Sequence, residues 1–200
     1  LEVKAEYQGQ DVKVVQLSSV FKNQPTKVVV SKSDLTTGVE LSGATLTVLD
    51  KDGNVVDTWK SVKGEQHMIE RLTVGETYTL REEMAPYGYL KAEEITFTIE
   101  DTGEIQKVEM KDDITKVEIS KTDISGKELP GAKLTILDQE GNEVESWTSG
   151  EKPHYIEMLP IGEYILREET APDGYLVAED VNRTCCLMTV CNMLVHGCIG

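Results

Sequence analysis

The chain has 200 residues, 39% of them hydrophobic and 28% charged, with a formal net charge of -16. That length admits one large domain or two small ones, and the acidity excludes nucleic acid and anionic membrane as partners, because both demand a basic surface. All four cysteines (Cys185, Cys186, Cys191 and Cys198) crowd into the last sixteen positions, so neither disulfides nor a thiolate metal site can hold the body together.

No apolar run approaches the roughly 20 residues that span a bilayer. Leu1-Glu2-Val3-Lys4 lacks the basic-then-apolar order of a signal peptide, and the chain reads as a segment of something longer. Residues 1–25 read as the C-terminal strands of a truncated upstream module, because Phe21-Lys22-Asn23-Gln24-Pro25-Thr26-Lys27-Val28 lines up with Met110-Lys111-Asp112-Asp113-Ile114-Thr115-Lys116-Val117. Asn23 thus matches Asp112.

Residues 26–113 form the first complete module. Val28 and Val30 alternate with polar neighbours, as do Ala44, Leu46 and Val48, then Ile95, Phe97 and Ile99. This period of two is the strand signal. Turn chemistry separates the runs at Asp52-Gly53-Asn54, Pro86-Tyr87-Gly88 and Asp101-Thr102-Gly103. About seven short strands result, the number and spacing of a β-sandwich. No stretch carries a 3.6-residue apolar period, so the fold class is all-β.

Three ionisable residues fall on the wrong face. Lys32 is in phase with Val28 and Val30, Glu82 with Tyr78 and Leu80, and Asp112 with Val108 and Met110. Each strand therefore aims one charge where an apolar residue belongs, and unpaired charges in a core are very costly. Phase alone leaves three readings open: strand ends that reach solvent, an ordinary buried ion pair, or a reactive cluster. Asp113 is adjacent to Asp112 but out of phase.

Residues 114–181 repeat the module incompletely. LSGATLTVLD at 41–50 returns as LPGAKLTILD at 129–138, and YTLREEMAPYGYL at 78–90 returns as YILREETAPDGYL at 164–176. Trp59 matches Trp147, His67 matches His154, and Gly75 matches Gly162. Lys121 is in phase with Val117 and Ile119, and Glu168 with Tyr164 and Leu166. The counterpart of Asp112 is due at the very end of the chain, where His196-Gly197-Cys198-Ile199-Gly200 supplies neither Asp nor Asn. Residues 182–200 match nothing upstream. Leu187, Val190 and Val195 have some β propensity for a substitute strand, though the alternation is poor. Back-translated one base out of frame, the stretch from Met188 allows Asp-Gly-Met-Gln where the first module has Gly103-Glu104-Ile105-Gln106, which suits a shifted reading frame.

Other features read as structural. Asp50-Lys51-Asp52-Gly53-Asn54 fits neither the sixth-position glycine nor the distant glutamate of a calcium loop and suits a hairpin turn. The cysteine spacing does not suit zinc, no nucleophile elbow is present, and neither metal nor cofactor is expected. The two tryptophans are read as covers on a sandwich edge, and the two recurring histidines as surface residues of a loop or strand.

Ser31-Lys32-Ser33-Asp34 followed by Leu41-Ser42-Gly43-Ala44, then Leu80-Arg81-Glu82 with Ala85-Pro86-Tyr87-Gly88-Tyr89, resembles the Cna protein B-type module. It is similar also to the SpaA-type pilin domains of Gram-positive surface adhesins and pili. The likeness covers 26–113 and 115–181, and its L-x-E-x-x-A-P-x-G-Y pattern occurs twice at one place in the repeat. The resemblance implies tandem transthyretin-like (reverse-Ig-like) β-sandwiches, in which a first-strand lysine and a last-strand Asn or Asp form a spontaneous isopeptide bond helped by a buried acid. On this likeness Lys32 is the amine, Asp112 the acceptor and Glu82 the proton relay. Lys121 and Glu168 are the second-module equivalents without an acceptor, and Asn23 is the acceptor of the upstream module.

The implied role is a secreted structural stalk or pilin-like repeat, attached to the cell wall at the surface of a Gram-positive bacterium. Its partners are neighbouring modules of the same polypeptide. It is no enzyme beyond one self-modifying turnover, and nothing in it inserts into a membrane. The alternative is an adhesin module that binds a host extracellular-matrix protein or a glycan. Near-identical repeats favour the stalk, because a binding site would single out one copy.

Overall fold

The structure, a computed structural model, describes residues 23–185 and 191–196. The first module is built from seven strands: β1 (Lys27–Asp34), β2 (Thr45–Leu49), β3 (Val55–Lys60), β4 (His67–Glu70), β5 (Thr77–Met84), β6 (Ile95–Thr98) and β7 (Ile105–Asp112). They divide into a three-stranded sheet in the order β4-β1-β7 and a four-stranded sheet in the order β3-β2-β5-β6. Between the sheets lies one core, with Val28, Val30, Leu46, Val48, Leu80 and Met110 all buried. These are the positions that the two-residue alternation assigns to the inner face.

The second module repeats the plan with β8 (Lys116–Thr122), β9 (Lys133–Leu137), β10 (Glu143–Thr148), β11 (His154–Glu157), β12 (Gly162–Thr170), β13 (Val181–Cys185) and β14 (Cys191–His196). Its sheets run β11-β8-β14 and β10-β9-β12-β13, around a core of Val117, Ile119, Leu134, Ile136 and Leu166. Despite its poor alternation, the tail supplies a strand: β14 runs parallel to β8 in the place that β7 takes beside β1. The remainder of the tail and the upstream segment 1–22 lie outside the described residues.

Local chemistry explains the turns. Asp50 Oδ1 accepts from the backbone of Asp52 (2.9 Å) and Asn54 (2.8 Å), and Asp138 repeats this with Glu140 (3.0 Å) and Asn142 (2.8 Å). An aspartate that closes its own turn in this way stabilises the hairpin without any cation. At one side of each sandwich the edge strands of the two sheets are tied together. Trp59 on β3 stacks on His67 of β4 with ring centroids 4.0 Å apart, and Asp57 lies 2.8 Å from the imidazole. Trp147, His154 and Glu145 reproduce the arrangement at 4.3 Å and 2.7 Å. The tryptophans thus cover an edge as expected, and each histidine is the aromatic partner that holds the cover in place.

Candidate functional site

The first and last strands of the module, β1 and β7, are neighbours and run parallel. Lys32 pairs in register with Met110, so Asp112 stands two residues further on the same face. Glu82 reaches the pair from β5 in the opposite sheet. All three side chains are sealed from solvent: Lys32 is 2% exposed, Glu82 0% and Asp112 1%. Lys32 Nζ lies 2.9 Å from Glu82 Oε1 and contacts Asp112 Oδ1 directly.

The carboxyls are held from behind. Glu82 Oε2 accepts from the Ala92 amide at 2.7 Å, which fixes the side chain and leaves Oε1 aimed at the lysine. At the end of β7, Leu35 N donates to the Asp112 carbonyl and Leu90 N to the Asp113 carbonyl, each at 2.8 Å. Tyr89 donates to Asp34 Oδ2 at 3.0 Å, while Asp34 Oδ1 accepts from the amides of Thr36 (2.9 Å) and Thr37 (2.6 Å). Asp34 is the register partner of Asp112, so this network braces the strand end that carries Asp112.

Burial pushes the Asp112 carboxyl up to about 7, against the opposing pull of Lys32, and the neighbouring Glu82 raises it further. Glu82 Oε1 faces the Lys32 amine, while Asp112 Oδ2 is buried without a hydrogen bond among the described residues. One proton shared between the two carboxyls removes that deficit. Asp113 faces outward instead: its Oδ1 accepts from Ile114 N at 2.8 Å and pairs with the exposed Lys116 at 3.4 Å. Asn23 is exposed, and the module it would serve lies outside the described residues.

The second module holds two of the three groups. Lys121 and Glu168 are 2% and 4% exposed and 3.0 Å apart, and Glu168 Oε2 accepts from Ala178 N at 2.6 Å. Lys121 pairs in register with Val195. Two residues on, the sequence has Gly197, outside the described residues and with no carboxyl to offer. Lys121 is therefore expected to remain a free amine. Peptide mapping should recover its tryptic peptides unmodified, and residues 114–200 should be proteolysed before 26–113. A Lys121 peptide joined to any acceptor would contradict this.

The sandwich, its tandem repetition and this core cluster define a class of small, repeated, all-β modules. Residues 26–114 and again 115–184 match the SpaA family, described as a prealbumin-like fold domain, and the chain belongs to that family. Among solved structures it is similar to the Bacillus anthracis TIE protein, with 27% identity over 88% of this chain and a TM-score of 0.52. The chain spans 34% of that protein's length. A streptococcal ancillary pilin aligns at 20% identity, 86% of this chain, 62% of its own and a TM-score of 0.43. The shaft pilin SpaA from Lactobacillus rhamnosus GG aligns at 12% identity, 88% of this chain, 98% of its own and a TM-score of 0.42. No curated protein matches the chain.

Proposed function

We propose that the chain is part of a structural, pilin-like stalk on the wall-attached surface of a Gram-positive bacterium, and that its first module locks itself with a Lys32–Asp112 isopeptide bond. The observation that carries this reading is the contact of a buried amine with a buried carboxyl across the first and last strands. Membership of the SpaA family supports the stalk.

The chemistry follows from the residues. Lys32 Nζ attacks Asp112 Cγ, the C–N bond forms, and the C–O bond to one carboxyl oxygen breaks as water leaves. An ionised carboxylate is a poor electrophile with no leaving group, so burial that keeps Asp112 protonated is what makes the acyl carbon reactive. Glu82 Oε1, 2.9 Å from the amine, takes the ammonium proton, returns it to the departing oxygen, and then keeps the second proton that the nitrogen sheds as the amide forms. Clamping the reactants in contact supplies an effective molarity on the order of 10⁵–10⁸ M. Exclusion of water then protects the amide.

A pH dependence results. Asp112 titrates near 7, well above the ordinary carboxylate range. Its protonated form is lost as pH rises through 7, and the linking rate should fall with it. By the same linkage, the unlinked fold gains stability from this group below the unfolded carboxylate pKa and loses it as pH rises through 7. Refolding denatured, unlinked protein at a series of pH values and following the loss of water by mass checks the rate. A rate that climbs steadily into alkaline solution would oppose the assignment. The reading as a whole is tested by digestion of the folded chain, which should yield one branched peptide joining the segments around Lys32 and Asp112.

A further inference from the structure

Each module carries the same two devices at opposite ends of β1 or its counterpart. At the entry end a threonine closes a turn. Thr26 donates through its hydroxyl to the Leu72 carbonyl at 2.7 Å, and Arg71 N donates to the Thr26 carbonyl at 3.0 Å. Thr115, Leu159 and Met158 repeat this at 2.6 Å and 2.9 Å. Arg71 and Met158 both adopt positive φ, 68° and 60°, a conformation uncommon outside glycine. At the exit end stands the Ala-Pro-x-Gly-Tyr loop. Tyr89 N donates to Pro86 O and Tyr175 N to Pro172 O, both at 3.1 Å, with Gly88 at φ 77° and Gly174 at φ 86°.

Inside the chain, the loop of the first module meets the turn of the second. Thr115 N donates to the Gly88 carbonyl at 2.9 Å, and Tyr89 bridges Ile114 in antiparallel fashion. The Thr115 hydroxyl, on a residue only 3% exposed, lies 2.6 Å from Leu159 O and 3.3 Å from Gly88 O, so one side chain touches both modules. No side chain fits at position 88: a Cβ there would stand 2.7 Å from both Cβ and O of Met158 and 3.0 Å from its Cα. At Gly174 the same Cβ would meet nothing within 4 Å among the described residues.

We infer that the Ala-Pro-x-Gly-Tyr loop is a docking surface for the threonine-closed turn of a neighbouring module of the same kind, and that this interlock sets successive modules in one fixed orientation. Gly88 is approached by Met158 Cβ, Cα and O, atoms that Arg71 also has. The Arg71–Leu72 turn therefore offers the same seat to the loop of a preceding module, and the Pro172–Tyr175 loop fits the turn of a following one. The joint is independent of the cross-link, since no reacting group takes part in it.

The two glycines make a controlled pair. Gly88→Ala and Gly174→Ala impose the same left-handed backbone strain, but only the first sets a methyl against a neighbouring module. In the parent chain, residual dipolar couplings from both modules should fit a single alignment tensor. Gly88→Ala should require two tensors and should raise tryptic cutting after Lys116 on the order of tenfold, as the joint opens; Gly174→Ala should do neither. If Gly88→Ala lowers amide protection across β1, Thr115→Val removes the shared hydroxyl without touching the loop and should give the same two tensors. Intact mass of Gly88→Ala should equal the parent's apart from the substitution, which separates the joint from the cross-link. In a chain with residues 26–114 duplicated in tandem, the two copies should take the orientation seen across Gly88 and Met158. The inference is overturned by independent tensors in the parent chain, by Gly88→Ala and Gly174→Ala behaving alike, by Thr115→Val keeping one tensor, or by a different orientation between the duplicated copies.

Discussion

Lys32→Ala or Asp112→Ala is expected to turn a module that cannot be drawn out into one that unravels under load. Tension enters at the start of β1 and leaves at the end of β7. Because the strands are parallel neighbours, it shears their hydrogen bonds together. An amide between Lys32 and Asp112, 80 positions apart, carries that tension directly and shields everything between. Without it, 80 residues are released, a contour length of about 270 Å at ~3.4 Å per residue. Closing a loop of that size also restricts the unfolded chain, worth about 4.5 kcal/mol in the chain-entropy estimate used for disulfides. For a domain of this size that corresponds to a drop in Tm of roughly 20–35 °C on losing the bond. The removed partner additionally leaves a buried group without its counter-charge. Force spectroscopy should show the long extension for module one only in the variants, and calorimetry should show the drop. Equal extension in parent and variants would remove the covalent bridge.

Glu82→Ala tests the proton relay separately from the reactants. Lys32 and Asp112 both remain, yet linking should slow by 10² to 10⁴, about the usual contribution of a positioned acid–base group. This substitution also leaves the Ala92 amide without its 2.7 Å acceptor, so a positioning effect is mixed in. Glu82→Gln keeps a carbonyl oxygen for Ala92 but cannot carry the proton. If it links as slowly as Glu82→Ala, the relay is chemical; if it links at the parental rate, Glu82 only positions. Formation of the bond at full rate in Glu82→Ala would take the residue out of the mechanism altogether.

Much of this arrangement is legible in the chain because the strand period is two. A lysine four residues beyond Val28 and two beyond Val30 has to face inward with them, and the same parity carries Glu82 and Asp112 to the core. The internal repeat locates the second set, Lys121 and Glu168, by simple alignment. What escapes is contact made through the backbone or across sheets. Ala92 clamps Glu82 with an amide that any residue but proline possesses, so no side-chain pattern marks it. His67 recurs as His154, but its stack on Trp59 depends on two edge strands of different sheets lying side by side. Tyr89 stands inside the Ala-Pro-x-Gly-Tyr motif, yet its hydrogen bond to Asp34 spans 55 positions. Strand β14 is foreshadowed by β propensity alone: Asn192, Met193, Leu194 and Val195 do not alternate, and their place is set by the edge of β8 that they cover.

The central claim is covalent, so the intact mass of the folded, then denatured, chain tests it most directly. That mass should fall below that of the 200-residue sequence by one water, with none lost in Lys32→Ala or Asp112→Ala and no second water lost through Lys121. A parent chain at its full sequence mass would contradict it.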